Sequence, residues 1–151
     1  MPVRRAEAAI RACQAVELVR PLATDRGVTI SVEPEIGGHV YVQADRQRLV
    51  QVLLNLLINA AQAIGGPGTI KVTGGTEAGR VRIEVLDSGP GVPLELRDRI
   101  FEPFFTTKSG GKGTGLGLAV SQHLLRAMSG DISVGESPHG GGKFTVSLPA
   151  A

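Results

Sequence analysis

The chain has 151 residues, 42% of them hydrophobic, and a formal net charge of +2, which suits one domain with a substantial core. Its basic residues are scattered apart from Arg4 and Arg5, and only 3% of residues are aromatic, so the composition indicates no nucleic-acid partner. No apolar run approaches the ~18 residues of a membrane span, and the N-terminus lacks a signal-peptide pattern, so we expect a soluble module that makes no membrane contact itself.

The first predicted element is a helix within residues 4–26, where apolar residues recur with a 3.6-residue period. Pro21 is expected to end or kink this N-terminal or linker helix near Val19. Cys13 falls within the pattern and is expected in the core. As the single cysteine it can form no internal disulfide, which favours a reducing cytoplasm, including the cytoplasmic part of a membrane-bound sensor.

Two short strands are predicted next. Residues 28–33 alternate apolar and polar side chains, and residues 40–42 form a second apolar run. Pro34 and the pair Gly37 and Gly38 between them are typical of a turn, so we expect a hairpin.

A second helix is predicted from Asp45, a favourable N-cap, to about Ile64, and it is apolar on nearly every side. Such a helix is buried, yet four amides fall on one stripe: Gln51, Asn55, Asn59 and Gln62. Two explanations stay open here, bonding to neighbouring backbone or contact with a ligand. Amide oxygens suit a hard cation, and Mg²⁺ shared with phosphates needs only one or two protein ligands.

Residues 69–73 and 80–86 are predicted strands joined by a glycine-containing turn, and they deliver Asp87 to the end of the second strand. Gly89 and Gly91 follow at once. A carboxylate there can accept a hydrogen bond from the exocyclic amine of adenine, and the glycines let a flat base come close. An ordinary Asp-Gly turn is the alternative.

Residues 94–100 are predicted as a short helix, followed by a phenylalanine-rich segment that suggests a lid over about residues 101–114. Lys108 and Lys112 stand beside the following glycine-rich loop, where the charge of a triphosphate would need neutralising. Solvated surface lysines are the alternative.

The stretch from Ser109 to Met128 runs from clustered glycines directly into an apolar-periodic helix. Backbone N–H groups and a helix N-terminus together favour a bound phosphate, whereas a flexible linker would not lead into such a helix. The Walker A, dinucleotide-binding and protein-kinase patterns are all missing. Residues 131–135 and 143–148 are the last predicted strands.

Five short motifs taken in order resemble the N, G1, F, G2 and G3 boxes of bacterial sensor histidine kinases. They are Asn55-x-x-x-Asn59, Asp87-x-Gly89-x-Gly91, Phe101-Glu102-Pro103-Phe104, Gly113-Thr114-Gly115-Leu116-Gly117-Leu118 and Gly142-x-Phe144. Each box alone is weak, but five in the right order are specific.

This resemblance implies the Bergerat ATP-binding fold shared with gyrase, Hsp90 and MutL: an α/β (α+β) two-layer sandwich with a mixed sheet covered on one face by helices. The predicted order β-β-α-β-β-α-β-β after a first helix agrees with that plan. We therefore expect residues 1–151 to form a single catalytic and ATP-binding domain, with the boxes inside a core over residues 28–149.

The resemblance also assigns roles to the motif residues, with ATP and Mg²⁺ as ligands. Asn59 becomes the Mg²⁺ ligand, and Asn55 contacts phosphate or a metal-bound water. Asp87 reads adenine, while Gly89 and Gly91 shape the base pocket.

The remaining roles concern the phosphates and the far side of the base. The phosphate loop is implied to comprise Gly113, Thr114, Gly115, Leu116 and Gly117. Lys108 and Lys112 are the implied lid cations, and Thr145 is expected to hold adenine through a water.

The implied activity is transfer of the ATP γ-phosphate to a histidine on dimerisation helices absent from this chain, with a response regulator downstream. Hydrolysing relatives place a Glu where this chain has Asn55, which has no basic group to activate water. His39, His123 and His139 are expected to be structural or surface residues, with His123 near the core. An anti-sigma-type serine kinase and a nucleotide-binding module without transfer activity remain open alternatives.

Overall fold

A five-stranded mixed sheet, a two-stranded sheet and three α-helices form the computed structural model, which describes residues 3–33, 40–105, 116–138 and 140–151. The elements in chain order are β1 (Arg4–Glu7), α1 (Ala8–Asp25), β2 (Val28–Val32), β3 (Tyr41–Ala44), α2 (Arg46–Ile64), β4 (Gly68–Glu77), β5 (Arg80–Asp87), α3 (Gly117–Ala127), β6 (Asp131–Glu136) and β7 (Gly142–Pro149). The order predicted from residue 28 onward is confirmed.

The sheet has the strand order β2-β4-β5-β7-β6, with β2 and β4 parallel and the other neighbours antiparallel. Its side chains alternate: in β5 the residues Val81, Ile83, Val85 and Asp87 are buried, and the residues between them are half-exposed. Because all three helices cover the apolar face, the molecule has the two-layer α/β architecture that was predicted.

Helix α2 is the centre of the core. Asp45 caps its N-terminus, since Oδ1 accepts a hydrogen bond from the backbone N–H of Arg48 at 3.1 Å, as predicted. Gly65, with a φ of 72°, ends the helix in the left-handed conformation. Leu49, Leu53, Leu56 and Leu57 of α2 are fully buried in the core, so the helix holds its amide stripe in a fixed position. No helix in the described ranges is long and apolar enough to cross a membrane.

The prediction that residues 28–33 and 40–42 pair as a hairpin is wrong. β2 pairs in parallel with β4, with Val28 opposite Gly68, while β3 pairs with β1, with Ala44 opposite Arg4. Residues 4–7, expected to be helical, are therefore a strand. Turn residues indicate where the chain reverses but not which strand will pair with which. Here β2 packs beneath α1 and pairs with β4 rather than with β3.

Helix α1 continues through Pro21 to Asp25, contrary to the expected break near Val19. Proline removes one backbone hydrogen bond, but Val19 and Ala23 on either side are fully buried, so packing holds the helix together. Cys13 is exposed rather than in the core. It directly follows the buried Ala12, and one residue turns the side chain by about 100° around a helix.

The helix expected over residues 94–100 is reduced to a 3₁₀ turn, Leu94–Leu96, followed by further turns. The N–H of Leu96 bonds to the Pro93 carbonyl and that of Arg97 to the Leu94 carbonyl, a three-residue spacing. Of the expected lid, residues 106–114 lie outside the described residues.

Candidate functional site

Asp87 ends β5 as a buried carboxylate that is 5% exposed. Its Oδ1 accepts two backbone hydrogen bonds, from the N–H of Gly89 at 2.9 Å and from that of Gly142 at 3.3 Å. Its Oδ2 accepts none from any residue that the structure describes. Burial raises the pKa of Asp87 above its usual value, and the two backbone bonds oppose that rise. One oxygen of Asp87 is thus fixed by the protein, and the other is not used by any of the described residues.

A glycine turn before β7 packs directly on this carboxylate. A Cβ placed on Gly141 would overlap the carbonyl oxygen of Asp87, and one on Gly142 would lie 2.8 Å from Oδ2. Gly91 has a φ of 78°, and a Cβ there would meet the Gly140 carbonyl at 3.1 Å. Gly141 and Gly142 therefore shape the site. The sequence analysis named Gly142 only as part of the G3 box and missed Gly141, although three consecutive glycines could have indicated a close backbone contact.

The C-terminal half of α2 borders the same place. A Cβ on Gly89 would lie 3.3 Å from the carbonyl oxygen of Ala63, so the loop after Asp87 passes against the last turn of the helix. Asn59 lies four residues before Ala63 and therefore on the same helix face, about 6 Å back along the axis. This register brings Asn59 towards the Asp87 end of the sheet.

Asn55, a further turn back, connects α2 to α3. Its Nδ2 donates to Oγ of Ser121 at 3.3 Å, and Ser121 is fully buried. Ser121 is four residues beyond Gly117, the first residue of α3, so Asn55 lies one helical turn from that N-terminus. Sequence reasoning missed Ser121, whose only signal was a lone polar residue on the apolar face of a helix.

These contacts place the candidate residues along one line. Asp87 and Gly89 lie at one end, Asn59 follows, and Asn55 with the start of α3 lies at the other end. The stretch of α2 from residue 55 to residue 63 is about 12 Å long, which suits an extended nucleoside triphosphate. The helix N-terminus, with its exposed dipole end, is where an anion is favoured.

Some predicted site residues lie elsewhere. Thr145 is opposite Glu84 in the β5–β7 ladder, and Lys143 on the same face forms an ion pair with Glu84 at 3.6 Å. That face points away from the helices and from Asp87, because side chains alternate along a strand, so the structure does not bring Thr145 to the carboxylate. His123 is exposed on α3 rather than near the core.

The expected phosphate loop is described only at its end. Leu116 and Gly117 lead into α3, and among the described residues no atom beyond the adjoining backbone lies within 4 Å of a Cβ built on Gly117. The other predicted loop and lid residues, Lys108, Lys112, Gly113, Thr114 and Gly115, lie outside the described residues, as do His39 and His139.

Within the described ranges, no group of three or more His, Cys, Asp and Glu side chains could hold a metal ion by itself. The half-buried amide of Asn59 on this line fits a Mg²⁺ ion, since amide oxygens are ligands that this ion accepts.

The sequence profile of the histidine kinase-, DNA gyrase B- and HSP90-like ATPases matches residues 44–151. The chain belongs to this ATPase family. The resemblance stated on the five boxes is thereby confirmed, and the Bergerat fold with it.

Several proteins are similar to this ATPase-family chain. The signal transduction histidine-protein kinase AtoS of Escherichia coli strain K12 is 49% identical over 109 residues, covering 72% of this chain and 18% of AtoS. The catalytic domain of histidine kinase ThkA is 32% identical with a TM-score of 0.85, covering 99% of this chain and 96% of that one.

Full-length ShkA in complex with AMPPNP is 34% identical with a TM-score of 0.84, covering 100% of this chain and 32% of ShkA. The structure of ThkA in complex with the response regulator TrrA matches at 28% identity and a TM-score of 0.81, covering 99% of this chain and 42% of that one. The chain spans about a fifth of the length of the curated relatives it matches.

Proposed function

We propose that this chain is the catalytic ATP-binding domain of a two-component sensor histidine kinase, which transfers the γ-phosphate of ATP to a histidine on a separate dimerisation domain. The observation that carries the proposal is the buried Asp87, whose Oδ2 accepts no hydrogen bond from the described residues and lies at one end of the line from Asp87 to α3. The similarity to sensor kinases over the same residues supports it.

Asp87 would read the base. Its Oδ1 is already held by two N–H groups, so Oδ2 is the atom that would accept from the exocyclic amine of adenine. Guanine presents a carbonyl oxygen at that position and would repel the carboxylate. Gly89 and Gly91 would let the base approach the backbone, and the turn at Gly141 and Gly142 would hold the carboxylate still.

Asn55 and the start of α3 would hold the phosphates, together with the predicted loop Gly113, Thr114, Gly115, Leu116 and Gly117. Asn59 would ligate Mg²⁺, which would neutralise part of the phosphate charge. Lys108 and Lys112 would add cations from the lid. Thr145 is not included, because it lies on the other face of the sheet.

Transfer is favoured over hydrolysis by the chemistry of Asn55. An amide cannot take a proton from water, and this amide donates to Ser121 instead. The chain would therefore act by positioning the triphosphate in line with an acceptor and by stabilising its charge, which is most of what phosphoryl transfer requires.

Two exposed apolar side chains, those of Phe104 and of Val120 on α3, would suit contact with the acceptor helices. The ring of Phe104 is 73% exposed although its backbone has a φ of 67°, a strained conformation for a residue other than glycine. Val120 on α3 is 38% exposed, and Phe101 and Pro103 line a cavity together with α3. We propose the dimerisation helices as the direct partner, a response regulator downstream and, because ATP is the donor, a cytoplasmic location.

The test is phosphate transfer in trans. The chain is incubated with γ-labelled ATP, alone and with a dimerisation-helix fragment, and the label is tested for acid and base stability. Acid-labile label on the fragment and none on the chain is the expected result. Acid-labile label on the chain alone would overturn the proposal. Label that is stable to acid and lost in base would indicate a serine kinase. ATP binding without transfer of label would indicate a binding module.

A further inference from the structure

A second concave surface lies outside the nucleotide line, between α1 and the first turns of α2. We call it the α1–α2 groove; it has a volume of about 900 Å³ and is lined by residues 9–18 of α1 and 46–50 of α2. Ile10 and Leu18, which are 43% and 63% exposed, and Val50 give it apolar walls. Residue 50 lies nine residues before Asn59, about 13 Å along the helix, so the groove takes no part in the proposed catalytic site.

Arg11 and Arg46 line this groove, and three further arginines lie on the adjoining elements: Arg4 and Arg5 on β1 and Arg48 in the first turn of α2. None of the five forms an ion pair with any residue in the described ranges, whereas six other basic residues do. The guanidinium of Arg5 lies 3.6 Å from the ring centre of Tyr41, and Nη2 of Arg46 donates to the Arg5 carbonyl at 3.4 Å. These contacts order the arginines without neutralising them.

The acidic residues nearby do not balance this charge. Glu17, on the groove wall, forms an ion pair with Arg20 at 3.1 Å, and Asp45 is buried as the cap of α2. Glu7 precedes α1 and forms no ion pair with the described residues. The groove therefore combines apolar walls with positive charge on Arg11 and Arg46 that forms no ion pair with any described residue.

The position of these arginines is itself unfavourable. Arg46 and Arg48 stand in the first turn of α2, where the helix dipole presents positive charge that the capping Asp45 offsets in part, and neither α1 nor α2 carries an acidic residue in its first turn. In addition, Nε of Arg11 is buried without a hydrogen-bond partner. A negatively charged group bound at the groove would relieve both costs, and local rules are most often broken at functional surfaces.

We propose that the α1–α2 groove is the docking site of an acidic amphipathic helix from a partner protein. Its apolar stripe would lie between Ile10, Leu18 and Val50, and its acidic flank would face Arg11 and Arg46. From residue 10 to residue 18 the wall is about 12 Å long, which accommodates roughly two turns of a helix. A helix fits a concave surface of this shape, whereas a membrane surface requires protruding apolar side chains.

The test uses a synthetic probe: a peptide of about four helical turns with leucines at i, i+4, i+7 and i+11 and glutamates beside them. A matched peptide carries lysine in place of every glutamate. Affinity is measured by fluorescence anisotropy, and backbone amide shifts in NMR spectra locate the probe on the chain. The glutamate probe is expected to bind, to shift residues 9–18 and 46–50, and to weaken as salt is added.

Two variants locate the interaction. Leu18→Asp is expected to weaken the glutamate probe about tenfold or more, and Arg46→Gln to weaken it several-fold with a smaller salt dependence. Leu94→Asp is the matched control, since Leu94 is 75% exposed on the 3₁₀ turn outside the groove. All three side chains are exposed, so thermal unfolding and Mg-ATP affinity should stay unchanged, which separates this proposal from the catalytic one.

Three results would each overturn the proposal. They are no binding of the glutamate probe, equal binding of the lysine probe, and equal loss in Leu18→Asp and Leu94→Asp. Anionic phospholipid vesicles are tested in parallel. Binding of the vesicles but not of the glutamate probe would assign the groove to a membrane surface and reject a helical partner.

Discussion

Replacing Asp87 with asparagine tests the base pocket with a change of one atom. In the parent, Oδ1 accepts from the N–H groups of Gly89 and Gly142, at 2.9 and 3.3 Å. The side-chain oxygen of asparagine can keep both bonds, so its Nδ2 takes the place of Oδ2. A hydrogen-bond donor then faces the exocyclic amine of adenine, which is also a donor.

The expected loss follows from the bond that disappears. A hydrogen bond to a charged group contributes about 1.5–3 kcal/mol, and every 1.4 kcal/mol is tenfold in affinity, so Asp87→Asn should weaken Mg-ATP roughly 10- to 150-fold. Inosine triphosphate carries a carbonyl oxygen where ATP carries the amine. The variant should therefore lose much less affinity for inosine triphosphate, or gain some, because Nδ2 can donate to that oxygen.

Isothermal titration calorimetry with both nucleotides measures these affinities. Asp45→Asn is the matched control, because Asp45 is also buried but caps α2, and asparagine caps a helix equally well. That variant should bind ATP like the parent. If Asp87→Asn bound ATP as tightly as the parent, or lost both nucleotides equally while remaining folded, Asp87 would not be the group that reads the base.

Three further predictions concern stability. Burial raises the pKa of Asp87 above its usual 3.8, so the native state holds a proton more tightly than the unfolded chain, and the free energy of unfolding falls as the pH rises from about 4 through the raised pKa. Asparagine does not titrate, so Asp87→Asn removes this loss. The urea-unfolding midpoint of the variant, relative to that of the parent, should therefore be higher at pH 7 than at pH 4. An equal difference between the two midpoints at both pH values would contradict the argument. Gly141→Ala should destabilise the fold by more than about 2 kcal/mol, because its Cβ overlaps the Asp87 carbonyl. Gly66→Ala is the control: no atom of the described residues lies within 4 Å of a Cβ built there, so stability should change by less than about 0.5 kcal/mol in the same assay. Ser121→Ala removes the acceptor of the Asn55 amide and should lower the free energy of unfolding by about 1 kcal/mol in thermal denaturation, with no change indicating that this bond contributes nothing.

Local patterns predicted the parts of the site that lie within one element. Asp45 as a cap, the buried helix to Ile64 and Asp87 at a strand end all follow from residue type and spacing, because caps and periodic burial depend on neighbours a few residues away. The same patterns failed at Pro21, where side chains from other elements stabilise the helix on both sides of the proline.

By itself, the sequence determined the order of the elements from residue 28 onward and the family, since periodicity and five ordered boxes are properties of the chain as written. Tertiary structure decided which strands pair, that Gly141 and Gly142 close on Asp87, and that Asn55 meets Ser121. It also placed Thr145 on the face of the sheet opposite to Asp87, because neighbouring residues of a strand point to opposite faces. Contacts between residues far apart in the chain depend on how whole elements pack, and no local pattern encodes that packing.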